Sequence, residues 1–370
     1  MENKGKKALV LSGGGSRGAY ECGVWQALTE LGEEFDMIVG SSVGTLNGVL
    51  FLQAHPGDVG TFWRHIETDM IFDEMEPDPK LQDFAWEFIT KGGAGTTGLK
   101  KIIDKYIDED AVRNSGVDFG LVTVEFPSRK PYYLWLSDIP EGMLADYITA
   151  SSSAFPALQT YKINGKDFID GGYADNMPIK MAVDHGATEV FAVFLDAFGV
   201  VHKEDFDLPD KMTLLQSKWD LGDFLVFDKE NITRAIRLGY LDTMKLYDVY
   251  DGNYFSFIKG VFNIKEVKKA DIAAKIFELD PTILYGKDYF LECLKEKVAE
   301  NFAEAKKTPD KHFELRPDII KSKIANMNKK TIVITLANTL KHKKIDSRYI
   351  RKILKNEIKA AEFLVDNKLV

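Results

Sequence analysis

The chain reads as an α/β protein: three layers, α/β/α, around a mainly parallel central sheet, followed by a mostly helical C-terminal extension. Three observations lead there. Short, nearly all-apolar runs recur at Lys7–Ser12, Met37–Val39 and Glu189–Leu195, as expected of strands covered on both faces. Segments with apolar residues at steps of three and four stand between them. The first two runs each end in a glycine-rich turn that opens a helix, the order that builds a parallel sheet.

The first run, Lys7-Ala8-Leu9-Val10-Leu11-Ser12, leads into Gly13-Gly14-Gly15-Ser16-Arg17-Gly18, and helical spacing follows at Ala19, Val24, Ala27, Leu28 and Leu31. This loop has two readings. Gly13, Gly15 and Gly18 satisfy G-x-G-x-x-G, which in a dinucleotide-binding fold carries the pyrophosphate. That fold also wants a carboxylate at the end of the second strand, and here the strand ends in Val39-Gly40-Ser41. The second reading needs only a small oxyanion, held by successive backbone N–H groups at a helix N-terminus. Gly14, Gly15, Ser16 and Arg17 are then the candidate donors, with the Arg17 side chain adding charge or making a surface ion pair.

The second run opens on Gly40-Ser41-Ser42-Val43-Gly44, a G-x-S-x-G, with Val43, Leu46, Val49 and Leu50 on one side of the helix after it. This is the context of a nucleophile elbow. Flanking glycines permit a turn so tight that one serine, Ser42, stands clear of the sheet. An ordinary helix N-cap at Ser41 or Ser42 is the plainer alternative.

Asp58–Arg113 reads as charged amphipathic helices, with Trp63, Ile66, Phe72, Phe84, Leu99 and Ile102 among the apolar positions, around the glycine-rich loop Lys91–Gly98. These suit a core-facing insert. A lid or apolar groove over Ser42, using Phe72, Met75, Trp86 and Gly92-Gly93, is the sharper reading. Val117–Phe126 and Pro131–Leu136 predict a hairpin, and Met143–Ala150 a helix. Lys166–Asp170 predicts a short strand that delivers Asp170 to the turn Gly171-Gly172. Met212–Lys229 is amphipathic and aromatic, and Asn231–Tyr250 predicts a long helix.

A serine hydroxyl needs a proton acceptor. None of the six histidines sits in a local catalytic pattern, although a triad through His185 or His202 stays open. The simpler arrangement pairs Ser42 with Asp170. A carboxylate is a weak base, so it would need a dry pocket to raise its proton affinity.

Gly13–Gly18, Gly40–Gly44 and Asp170-Gly171-Gly172, in that order and with a wide Ser-to-Asp gap, resemble the patatin-like phospholipase family. Asn176 and Pro178 after the Asp-Gly-Gly, and Ala154-Phe155-Pro156 before it, fit the same pattern. The resemblance covers residues 6 to 200. It implies a Ser42–Asp170 dyad acting through an acyl-enzyme on phospholipids or other lipid esters. It also implies an oxyanion hole in Gly14–Gly18 and no metal or cofactor.

The net charge of −9 argues against a general nucleic-acid partner. It is uneven: from Gly260 onward Lys and Arg number 24 against 16 Asp and Glu, and before it 24 against 41. That shift suggests two modules, a catalytic domain at 6–253 and a mostly helical, basic region at 254–370. Cys22 and Cys293 are the only cysteines, which disfavours a disulfide framework or a zinc site. No apolar run suits a signal peptide or a membrane span, so the expected location is cytoplasmic, with transient peripheral seating on a membrane. In the tail, Lys329–Lys344 has an apolar middle and basic ends. It fits an anionic membrane surface or, more simply, a buried helix. Ile350, Ile353, Leu354, Ile358, Ala361 and Val365 form a helical stripe. Two rivals remain: a non-catalytic lipid-binding or scaffolding module, and a nucleotide-binding protein using Gly13–Gly18.

Overall fold

In the computed structural model the described residues are 5–72, 93–306, 327–342, 345 and 348–370. The chain divides into two compact units, Met1–Thr243 and Met244–Val370.

The first unit is built on an eight-stranded sheet. Its strands are β1 (Lys6–Leu11), β2 (Met37–Ser41), β3 (Asp118–Phe126), β4 (Lys130–Trp135), β5 (Tyr161–Ile163), β6 (Lys166–Asp170), β7 (Ala187–Phe194) and β8 (Lys211–Gln216). Five run parallel in the order β3-β2-β1-β7-β8. Alternation along the strands feeds two cores. Ala8, Val10, Met37 and Val39 pack with Met177, Ile179 and Ala182 at the helix Ile179–Asp184 on one face. On the other, Ile38 and Phe119 lie against Gly48 of α2 (Val43–Gln53). The expected three layers are present. α1 (Ala19–Glu30) makes the crossover from β1 to β2.

One feature of the register positions the site. β4 pairs antiparallel with β3 from Gly120 to Glu125, occupying one edge of it. The other edge is shared. β2 occupies it as far as Ser41 opposite Val122, and β6 begins at the next residue, with Asp170 opposite Thr123. β2 runs parallel to β3 and β6 antiparallel, so the two strands run at each other and their C-terminal ends meet. Whatever each strand delivers is brought together there.

The sequence expectations for β1, β2, β6, β7, the β3–β4 hairpin and the helices at Leu144–Ser151 and Lys229–Leu246 correspond to these elements. β8, at the start of the stretch read only as amphipathic and aromatic, is a parallel edge strand.

The second unit carries a small sheet, β9 (Tyr250–Asp251), β10 (Ser256–Ile258) and β11 (Leu284–Tyr285), not anticipated in the sequence, with helices between β10 and β11 and after β11. Its core is aromatic: Phe257, Phe262, Phe290 and Phe363 meet edge to face. Asp271 is buried and accepts the N–H groups of Asn253, Tyr254 and Phe255, fixing the turn into β10. The membrane-surface reading of Lys329–Lys344 meets a correction. In the helix Lys329–Leu340, Ile332, Val333, Ile334, Leu336 and Ala337 are all buried, because the helices Lys287–Lys306 and Lys355–Asp366 pack against it. The stripe at 350–365 breaks at Leu354 into two helices, Arg348–Ile353 and Lys355–Asp366.

Among the described residues, no helix is long and apolar enough to cross a membrane. Among them too, no group of three or more His, Cys, Asp and Glu is disposed to hold a metal ion.

Candidate active site

Ser42 occupies the turn between β2 and α2 with φ 54° and ψ −127°, a strained conformation for a residue with a Cβ. Close approach explains the two flanking glycines. A Cβ on Gly40 would run into the backbone of Gly44 and Thr45, and one on Gly44 into the carbonyls of Leu11 and Ser12 at the end of β1. The elbow is held from outside by Ser151, whose hydroxyl accepts the Ser42 N–H (3.1 Å), donates to Val122 O (2.7 Å) and lies 2.9 Å from the Thr45 hydroxyl.

Asp170, the last residue of β6, is 6% exposed. Its carboxylate accepts the Gly172 N–H at 2.8 Å and lies near enough to the Ser42 side chain to be influenced by it. Burial raises its pKa from 3.8 to about 6, against the lowering effect of Ser42 and the Gly172 N–H. A carboxylate in that state is a better base than a solvated one and is still ionised at neutral pH.

The glycine loop lies beside the pair. Gly13, Gly14 and Gly15 line the same cavity as Ser42 and Asp170. Of the four expected donors, Ser16 N–H bonds Phe224 O (2.8 Å) and Arg17 N–H bonds Gly14 O (3.1 Å). This leaves the N–H groups of Gly14 and Gly15, which meet no acceptor among the described residues. The Arg17 side chain does not line the cavity. It clasps the carbonyls of Gly222, Leu195 and Asp196, so neither proposed use of its charge applies. Its role is to hold the loop onto residues 195–222. Gly14 and Gly15 thus line the cavity with their N–H groups unengaged among the described residues, and β2 ends in Ser41 with no acid.

Asn176 was noted in the sequence only as part of a pattern, and the structure gives it a physical job. Its side-chain amide accepts the Gly13 N–H (3.1 Å) and donates to Gly13 O (3.3 Å), while its backbone N–H bonds Val200 O (2.7 Å). The segment that carries Asp170 is thereby tied to the glycine loop. The signal for this was an amide six residues after the aspartate, but its partner lies 163 residues away.

The two candidate histidines are elsewhere. His202 Nε2 meets Ala174 O at 3.1 Å, and His185 stacks on Trp135 with Nε2 3.1 Å from Asp118. Neither lines the cavity of Ser42, and the triad alternative loses its base.

The cavity has a volume of about 320 Å³ and, beyond the polar residues named, is walled by apolar groups such as Phe62, Trp63, Leu99, Phe155, Phe198 and Phe224. Ile66, Ile71, Phe72 and Ile102, from the insert expected as a lid or groove, also line it. Met75, Trp86 and Gly92 of that expectation lie outside the described residues. Trp63 is fixed from behind: its Nε1 donates to Asn47 Oδ1, and Asn47 donates to Gly18 O and Glu21 Oε2. Glu21 is fully buried, and that burial pushes its pKa well up.

Part of the chain is similar to known proteins. Residues 9–183 match the family model described as patatin-like phospholipase. Over 207 residues the chain is 30% identical to a protein named Lysophospholipase NTE1 from Kluyveromyces lactis, covering 50% of this chain and 12% of that one. Over 188 residues it is 31% identical to the protein of the same name from Mycosarcoma maydis, covering 50% and 9%. The chain thus spans about a tenth of the length of the curated relatives it matches. A looser likeness in coordinates is to VipD from Legionella pneumophila, at 15% identity and a TM-score of 0.41 over 98% of this chain and 85% of that one. Over residues 9–183, about the first half of its length, the chain is thus similar to the patatin-like phospholipase family.

Proposed function

We propose that the chain is a lipid acyl hydrolase, a carboxylic ester hydrolase that works through an acyl-enzyme on Ser42. One observation carries the reading: a serine on a strained elbow and a buried, basicity-raised carboxylate share an apolar cavity with Gly14 and Gly15, whose N–H groups meet no acceptor among the described residues. Ser42 Oγ attacks the ester carbonyl as its proton passes to Asp170. The charge that develops on the carbonyl oxygen is received by the N–H groups of Gly14 and Gly15. Collapse returns the proton from Asp170 to the departing alcohol and leaves the acyl group on Ser42. Water then enters, gives its proton to Asp170 and attacks the acyl-enzyme; the carboxylic acid departs as Ser42 regains its proton. The cycle uses no group beyond these residues and water.

The apolar walls favour a long acyl chain over a small polar ester, and the relatives' name supports a phospholipid or lysophospholipid substrate. A substrate held in a bilayer asks for transient contact with a membrane surface. In this reading residues 6–253 are the catalytic domain, and the basic region at 254–370 has another, separate task.

The direct test is labelling of the intact protein with a fluorophosphonate, read by peptide mass spectrometry. A single adduct on Ser42 is the expected result. An adduct on another serine, or none in folded protein with detergent present, would sink the reading.

A second expectation concerns the loop. Asn176→Leu removes both amide contacts to Gly13 without charging the site. Because misplacing an oxyanion donor costs about as much as losing it, roughly 10²-fold or more, kcat should fall by about 10² with KM little changed. A variant with wild-type kcat would show that the clasp does not place the donors.

A further inference from the structure

A second cavity, of about 470 Å³, lies in the first unit between β4, the segment just beyond Asp170 and residues 202–205. Its walls combine two aromatic rings, Tyr133 and Trp135, with the carboxylates of Asp175, Asp184, Glu204 and Asp205. The basic side chains around it are already engaged. Lys180 Nζ sits 2.7 Å from Asp184, His185 meets Asp118, and His202 is held between Ala174 O and Glu204, 3.6 Å from its Nδ1. Asp175, 2% exposed, accepts the Met177 N–H at 3.1 Å and faces the Tyr133 hydroxyl at 3.4 Å.

Asp205 differs from the others. It is only 7% exposed and lines the cavity, yet its carboxylate accepts no hydrogen bond from any described residue. His202 and Lys180 act on it only through space. With no protein donor, this carboxylate is left to the cavity it lines, an open volume in which a partner would fit. That partner has to be positive, since the lining carries four carboxylates against Lys180 and the histidines. A metal ion is a poor candidate, because among the described residues no three acidic or histidine side chains converge to ligate one. An ammonium group needs less: one carboxylate and an aromatic face. Tyr133, 42% exposed, supplies the face.

We propose that this cavity binds a small organic ammonium ion, with Asp205 as its counter-charge and Tyr133 as its aromatic wall. The occupant would lie against Asp175 and the His202–Ala174 contact, and so against the loop that follows Asp170. The site stands independently of the hydrolase reading. An ammonium of this kind comes either as a free amine or as the head group of a choline or ethanolamine lipid.

The test is thermal unfolding of the full chain with tetramethylammonium chloride, against sodium chloride at equal ionic strength. A saturable rise in Tm over the sodium control is expected, with Asp205→Asn abolishing it. Tyr133→Leu, at a partly exposed position where folding should survive, should move the midpoint concentration up at least tenfold. A wild-type response equal to sodium chloride would overturn the proposal, as would one retained in Asp205→Asn. So would an Asp205-dependent rise with calcium chloride alone, which would make it a metal site. Choline and glycerophosphocholine then separate the sources: Asp205-dependent binding of both supports a head-group site, and of choline alone a free-amine site.

Discussion

Ser42→Ala should lower ester hydrolysis by about 10⁶-fold, the scale seen when the nucleophile of a serine hydrolase is removed, and still leave a folded protein. The elbow does not depend on the hydroxyl. Its φ of 54° strains alanine as much as serine, and the glycines that permit the turn remain. The change is felt instead at Asp170. In the wild type the Ser42 hydroxyl helps to stabilise the ionised carboxylate against burial. Without it, Asp170 holds its proton more tightly, and keeping it ionised costs more. A hydrogen bond to a charged group contributes about 1.5–3 kcal/mol, so the variant should be less stable by up to that amount well above pH 6. The difference should shrink as pH falls through about 6 and Asp170 takes up its proton in either protein. Denaturant unfolding at pH 5 and pH 8, beside a turnover assay, separates the two effects. Activity within tenfold of wild type would move the nucleophile elsewhere.

Much of this site was legible because local chemistry marked it. G-x-S-x-G after an apolar run can hardly do anything but turn sharply, and the space around Gly40 and Gly44 shows why no other residue serves there. Asp170 was legible for a similar reason, since a strand that ends in Asp-Gly-Gly delivers its acid to a turn. What joins them was not. That β2 and β6 meet end to end along one edge of β3 depends on two long-range pairings, Ser41 with Val122 and Asp170 with Thr123, and no periodicity encodes it. Arg17 shows the same limit. Its place in the loop suggested charge for the oxyanion, while its side chain reaches carbonyls near residues 195 and 222 that only the fold brings near. The helix Lys329–Leu340 shows the converse. Its apolar middle and basic ends fitted a membrane surface or, more simply, a core, and two packing helices decide for the core. β8 gave no strong signal because, as an edge strand with mostly part-exposed residues, it lacks the continuous apolar run that betrayed β1 and β7.

Asp170→Asn is expected to do two opposite things. It removes the proton acceptor, so turnover should fall by about 10²–10⁴-fold, the range for loss of a general base. It should also stabilise the protein at alkaline pH. The folded-state pKa of Asp170 lies near 6 against 3.8 for the free group, with burial as the leading cause. A buried acid whose pKa is raised makes its most favourable contribution below the unfolded pKa, where both states are protonated. That contribution is lost as pH rises through about 6 and the native state must keep a charge that burial disfavours. Two pKa units correspond to about 3 kcal/mol. Asparagine has the same shape and no charge. Its oxygen can still accept the Gly172 N–H, and its amide faces the Ser42 hydroxyl. The variant should therefore match wild type near pH 4 and exceed it by up to about 3 kcal/mol at pH 8. The same pKa sets the acid limb of the wild-type profile, with kcat/KM falling below about pH 6 as Asp170 protonates. An inactive variant that is also less stable at pH 8 would mean that the hydrogen bonds to the carboxylate outweigh its burial. Asp170 would then have an ordinary or lowered pKa, and the acid limb should move below pH 4. A variant that keeps wild-type turnover would instead remove Asp170 as the base.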